Sequence, residues 1–210
     1  INNSAKQVGG DYYDILALDS DRTLIAIGDV SGKGVQAALL MANVQAFLKS
    51  IWKQNITLDK ASNLINDLVS ENTSDGSFIT FFWGIIDRKK MRFEYVNAGH
   101  NPPLLCRNGK IEYLKNGGMI LGVMQTVIPY VATEIAFQSG DVLVSFTDGI
   151  TEAMSADFEE YSDERLEKLV LSNCDKSADE LLEIIIGDVN KHTAGAVQSD
   201  DITALIVKVK

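Results

Sequence analysis

An apolar run, Leu24-Ile25-Ala26-Ile27, stops at Gly28-Asp29-Val30-Ser31-Gly32-Lys33-Gly34 and resumes at once as Val35-Gln36-Ala37-Ala38-Leu39-Leu40-Met41. The order is strand, glycine-rich turn, helix, with one carboxylate held in the turn. The glycines permit positive φ and keep side chains away from a ligand. An Asp at the end of a buried strand stays ionised cheaply only if positive charge meets it. A metal ion or a phosphate-bearing ligand is the first implication, and a structural turn with a surface Lys is the alternative for this stretch alone. The nucleotide-binding pattern G-x-x-x-x-G-K-[ST] competes but fails twice. Gly28 and Gly32 are too close together, and Gly34 stands where Ser or Thr would bind magnesium.

The rest of the chain supplies a frame for that turn. Tyr12 to Leu18 and Leu24 to Val30, separated by Asp19-Ser20-Asp21, read as a hairpin. Val35 to about Trp52 carries Leu40, Val44, Phe47, Leu48 and Ile51 at helical spacing, widened by Ala38, Leu39 and Ala42, which predicts a broadly buried helix. Thr57 is placed to cap a second helix with Leu58, Ala61, Leu64, Ile65 and Leu68 inward. Strands are expected over 78–86, 91–95, 131–137 and 142–146, with a tight hairpin at Asn108-Gly109. Ser162 caps a third helix, Ser177 and Glu180 form a capping box for a fourth, and Ile202 to Val209 closes the chain as a strand. Many strands beside four helices, joined by short polar turns, predict an α+β fold of two stacked antiparallel sheets flanked by helices, in one domain over 1–210.

Composition narrows the function. The net charge of −10 argues against a nucleic-acid surface. No apolar run approaches the ~20 residues that span a bilayer, so no membrane contact is expected. Cys106 and Cys174 have no metal-like spacing; they fit free thiols in a reducing cytoplasm, with one disulfide as the alternative. With only His100 and His192, a His-rich zinc site is poorly supplied. The start at Ile1 without Met suggests a piece of a longer protein.

Four places repeat one pattern, a carboxylate beside a small residue at the edge of a buried strand: Asp11, Asp29, Asp148 and Asp200-Asp201. Each alone is ordinary turn chemistry. Gathered together, such carboxylates repel one another, and hard divalent cations relieve the repulsion through oxygen ligands. Magnesium or manganese is therefore favoured over zinc, and two ions sharing several Asp can activate a water and clamp a phosphoryl group.

The motifs VGGDYYD (8–14), GDVSGKGVQAALLMA (28–42), YVNAGHNPPLL (95–105), FTDGITEA (146–153) and SDDITALIV (199–207) resemble, in order and over nearly the whole chain, those of the SpoIIE/RsbU branch of the metal-dependent protein phosphatases (PPM, type 2C). The resemblance implies an αββα sandwich and a serine/threonine protein phosphatase in which metal-activated water attacks phosphorus directly. It implies two divalent cations, Mn2+ or Mg2+. Asp29 would be shared between them with the Val30 carbonyl as a further ligand, Asp11 would order bound water, and Asp148 and Asp200 would complete the set. Asp201 is the weaker candidate of its pair.

The eukaryotic phosphate-gripping Arg has no counterpart; only Lys6 lies near, with Lys33 a possible substitute or a solvated loop residue. His100 is either a general acid or a brace for its proline-containing turn, and Glu152 either orders outer water or caps a segment. The family also implies a cytoplasmic protein acting on a phosphorylated anti-anti-sigma (STAS-domain) partner, with an N-terminal sensor or receiver domain in cis and a possible homodimer. In this setting the helices after the metal loop would gate Asp29. The alternative is a catalytically weak phosphoprotein-binding module of the same fold, which predicts loss of a metal carboxylate; all are present.

Overall fold

Strand β3 (Arg22–Val30) is paired along its whole length by β4 (Ile79–Asp87) and over residues 23–28 by β2 (Tyr12–Ala17). The protein is described here by a computed structural model covering residues 1–5, 9–32, 34–51, 56–73 and 76–210. It divides into two compact units, one formed by residues 6–100 and 115–136, the other by 1–5, 101–114 and 137–210.

In the first unit the sheet order is β2-β3-β4-β5-β8, where β5 is Arg92–Ala98 and β8 is Gly117–Gly118; β9 (Thr133–Ala136) also pairs with β5. All pairs are antiparallel except β5–β8. Helices α1 (Val35–Ile51) and α2 (Leu58–Asn72) cover one face. Because side chains alternate along a strand, Leu24, Ala26 and Val30 enter the core shared with the helices, while Ile25, Ile27 and Asp29 face the other way. Phe82, Phe93 and Tyr95 cluster on that second face, with ring centroids 5.5–6.1 Å apart.

The second unit has the order β1-β11-β10-β6-β7, with β1 Asn2–Asn3, β6 Leu104–Arg107, β7 Lys110–Tyr113, β10 Val142–Phe146 and β11 Ile202–Lys208. Its core joins the sheet to α4 (Asp163–Ser172) and α5 (Ala178–His192). The expected capping box at Ser177 and Glu180 is formed, and Asn108 and Gly109 take the positive φ values of a tight hairpin turn. Arg165 donates to both Asp188 oxygens and to the His192 ring, locking α4 onto α5. The α+β plan is as expected. Among the described residues, no helix is long and apolar enough to cross a membrane.

Three expectations need correction. Helix α1 is buried on one stripe only: Leu39 is 62% exposed, because the sheet covers just the Ala37, Leu40, Met41, Val44, Leu48 and Ile51 face. On α2 the inward positions are Ser62 and Asn66 rather than Leu64 and Leu68. Ser62 Oγ accepts from the buried Trp83 indole at 3.0 Å, and Asn66 binds the 122–126 loop through three hydrogen bonds, so polar partners outcompete leucine there.

The third correction concerns the cysteines, which are not free thiols. Cys106 on β6 and Cys174 just after α4 form a disulfide, with Cα atoms 6.4 Å apart. A separation of 68 residues conceals this pairing in the sequence. The bridge closes a loop that contains β10 and Asp148. Closing a loop of that length constrains the unfolded chain by about 4 kcal/mol. Reduction, or Cys174→Ser, is therefore expected to lower unfolding stability by about that amount, read as a lower urea midpoint with a steeper slope, since the released unfolded chain exposes more surface.

Candidate metal site

The carboxylates at strand ends occur in two groups, one in each unit. In the first unit, antiparallel pairing runs from Ala17↔Thr23 to Tyr12↔Gly28, with Asp11 immediately before Tyr12 and Asp29 immediately after Gly28. On its other side, Asp29 is paired directly with Thr80. Asp29 and Thr80 are thus neighbours across two strands, Asp11 precedes the paired end of β2, and all three are half-buried. Asp14, in the same sequence motif as Asp11, is employed differently: it accepts from the Tyr12 hydroxyl at 3.0 Å and faces Lys49 at 3.8 Å.

The turn after Asp29 is pinned by Ser31, whose amide donates to the Phe78 carbonyl at 2.9 Å while its hydroxyl accepts from the Phe78 amide at 2.8 Å. Oxygens then converge in front of Gly10. A β-carbon there would lie 3.1 Å from the Val30 carbonyl, 3.4 Å from the Gly32 carbonyl and 3.5 Å from Asp29 Oδ1. Only a residue without a side chain leaves this space open. A carboxylate and two backbone carbonyls are the donors that a hard cation prefers, so the residues fit magnesium or manganese in kind.

In the second unit β10 leads into the short α3 (Asp148–Thr151), which the sequence reading did not anticipate. The Thr147 amide donates to the Thr203 carbonyl at 3.0 Å and its hydroxyl accepts from the Thr203 amide at 3.1 Å, fastening the start of α3 to β11. A β-carbon on Gly149 would lie 1.9 Å from the Asp201 carbonyl oxygen, so this close approach demands glycine.

The two acids ahead of β11 differ in role. Asp201 is buried and accepts from the Ala5 amide at 2.7 Å, a structural use of its carboxylate. Asp200 is half-buried and accepts from the Asp201 amide at 2.9 Å. Glu152, at the C-terminal end of α3, has its carboxyl pushed above the ordinary value. Desolvation is the main cause, followed by the charges of Asp148, Glu160, Asp200 and Asp163. Asp148, Glu152 and Asp200 therefore share a field of negative charge.

Among the described residues, no three or more His, Cys, Asp or Glu side chains draw together as a metal cluster. Lys6 and Lys33, considered above for gripping phosphate, lie outside the described residues. The His100 ring is buried, with Nδ1 3.0 Å from Thr80 Oγ1, and the His100 backbone amide donates to Asn97 Oδ1 at 2.8 Å. Thr80 was missed in the sequence because nothing distinguishes it from any other strand threonine; strand register alone puts it beside Asp29.

The family model of stage II sporulation protein E (SpoIIE) matches residues 19–210. The chain is 31% identical to phosphoserine phosphatase RsbU of Bacillus subtilis, over 100% of this chain and 62% of that protein. It is 29% identical to protein IcfG of Synechocystis, over 97% of this chain and 36% of that one. The chain thus spans between a third and two thirds of the length of these relatives. The structure of the PP2C phosphatase domain and a fragment of the regulatory domain of Bacillus subtilis SpoIIE superposes with a TM-score of 0.85 at 21% identity, covering 100% of this chain and 61% of that one. A structure of RsbX in complex with magnesium superposes with a TM-score of 0.69 at 17% identity, covering 98% and 90%. The fold is that of a PP2C phosphatase.

The raised Glu152 carboxyl has a consequence for stability. A carboxyl whose folded pKa lies above its unfolded value costs stability once pH rises through the folded value, and costs nothing below the unfolded one. In metal-free protein, Glu152→Gln is therefore expected to raise thermal stability at neutral pH and to leave it unchanged at acid pH below the ordinary carboxyl value of 4.5. For so exposed a group the gain is under ~1 kcal/mol, measurable as a pH-dependent difference in melting temperature.

Proposed function

The chain belongs to the SpoIIE family, and from that premise we propose that it is a metal-dependent serine/threonine protein phosphatase, with residues 1–210 as its catalytic domain. The observation that carries the reading is Asp29 beside the converging Val30 and Gly32 carbonyls, with Asp11 at the adjoining end of β2, a set of oxygen donors. The relative named phosphoserine phosphatase supports the reaction class.

In this reading Asp29 and the Val30 carbonyl bind the cation in the first unit, and Asp11 holds the water around it. Within the second unit Asp148 and Asp200 would be the cation-binding carboxylates, whereas Asp201 accepts from the Ala5 amide. Divalent cations bound there supply Lewis acidity to the attacking water and to the phosphoryl oxygens. The protein's own contribution is to hold the carboxylates at strand ends and at the start of α3, which reduces the conformational freedom lost when the substrate arrives.

Negative charge at Asp148, Glu152 and Asp200 repels a phosphate dianion until cations offset it, which makes activity conditional on metal. Mn2+ and Mg2+ both suit an all-oxygen donor set. The substrate class we propose is the phosphorylated anti-anti-sigma protein of a partner-switching pathway in the cytoplasm, with a sensor or receiver domain in cis.

Phosphate release from an aryl phosphate is expected to require Mn2+ or Mg2+, to stop with chelator, and to fall at least ~100-fold in Asp29→Asn and in Asp148→Asn. Manganese binding without turnover in wild type would support a phosphoprotein-binding module instead.

A further inference from the structure

We propose that Thr80, held by His100, is a positioning residue that sets the Asp29 carboxylate by donating its hydroxyl hydrogen to it. The inference rests on the reading of Asp29 as a cation ligand.

Three features of the first unit converge on it. Asp29 and Thr80 are directly opposite in the β3–β4 ladder, so both side chains leave the same face of the sheet. Directly opposed residues have their β-carbons about 4.5–5.5 Å apart, a span that a hydroxyl and a carboxylate can bridge. Thr80 Oγ1 is also 3.0 Å from His100 Nδ1.

The imidazole is held firmly. His100 is 3% exposed, its amide donates to Asn97 Oδ1 at 2.8 Å, and its carbonyl accepts from Asn97 Nδ2 at 3.1 Å. The preceding Gly99 has φ +71°, and a β-carbon there would lie 2.2 Å from Ile120 Cγ1, so the turn that carries the ring requires glycine.

A threonine hydroxyl has a single hydrogen to donate. If Nδ1 accepts it, that hydrogen points to the ring and is lost to Asp29. If Nδ1–H donates to Oγ1, the hydrogen is left for the carboxylate. The second arrangement is the one proposed. It is favoured because a hydrogen bond to an ionised acceptor is roughly twice as strong as a neutral one. Thr80 offers Asp29 a donor of fixed direction. A ligand oriented in this way binds its cation more tightly, and loss of such a partner costs about 10–100-fold in metal affinity.

The test is calorimetric titration of Mn2+ into wild type, Thr80→Val and Thr80→Ser without substrate, alongside 15N NMR of the His100 ring in metal-free wild type. Thr80→Val is expected to weaken manganese binding about 10–100-fold, and Thr80→Ser, which keeps the hydroxyl, to stay within about threefold of wild type. The spectrum is expected to show the proton on Nδ1. Equal affinity in wild type and Thr80→Val, or a bare Nδ1, overturns the inference while leaving Asp29 as a ligand. A wild type that takes up no manganese overturns the reading of Asp29 itself. Should Thr80→Val not fold, as judged by circular dichroism, Thr80→Ala takes its place, and the NMR arm needs no variant at all.

Discussion

The antiparallel pairing of β3 with both neighbours is the constraint on which the candidate site depends. Register in a sheet is all or nothing: a slip of one residue exchanges the two faces. With Tyr12↔Gly28 and Asp29↔Thr80 in place, Leu24, Ala26 and Val30 reach the helix-covered core, while Asp29 is left on the other face beside Thr80. The same apolar residues that stabilise the unit therefore aim its carboxylate. Burial of Val30 is what holds the peptide whose carbonyl faces Gly10.

Each unit solves the same electrostatic problem with different local structure. In the first, a glycine-rich turn is fastened by Ser31 to Phe78, and the empty side-chain position of Gly10 admits the oxygens. In the second, a strand runs into a short helix whose first turn is pressed onto the 200–201 segment, an approach that Gly149 alone permits. The negative charges of Asp148 and Asp200 both push the Glu152 carboxyl up. Like charge brought together in this way is costly for a stable fold and useful for a site that must recruit cations. By contrast, Asp141 and Asp188 are satisfied by Arg107 and Arg165, in pairs that tie elements of the second unit together.

Helix α2 shows how tertiary context overrides pattern. Leucines 64 and 68 fit the apolar stripe as well as Ile65 and Val69 do, yet Ser62 and Asn66 are the residues buried. The Trp83 indole needs an acceptor inside the core, and the 122–130 loop needs partners for its backbone. Asn63, Asn66 and Asp67 meet that second demand by binding Tyr130, Gly122 and Thr126. Neither demand arises from within the helix, so no reading of periodicity along α2 could have found it.

Much was legible in the sequence by itself. The alternation of apolar residues, the Asn108-Gly109 turn, the Ser177–Glu180 box and the carboxylates beside small residues are local signals, and local chemistry places them on strands, turns and helix starts whatever the remainder does. The five motifs in order likewise identified the family. What only the tertiary structure decided is which distant residues meet: Cys106 with Cys174, Asp201 with the Ala5 amide, and Thr80 with both Asp29 and His100. Those contacts depend on strand register and helix rotation, which are set by the packing of whole elements and leave no trace at the positions they bring together.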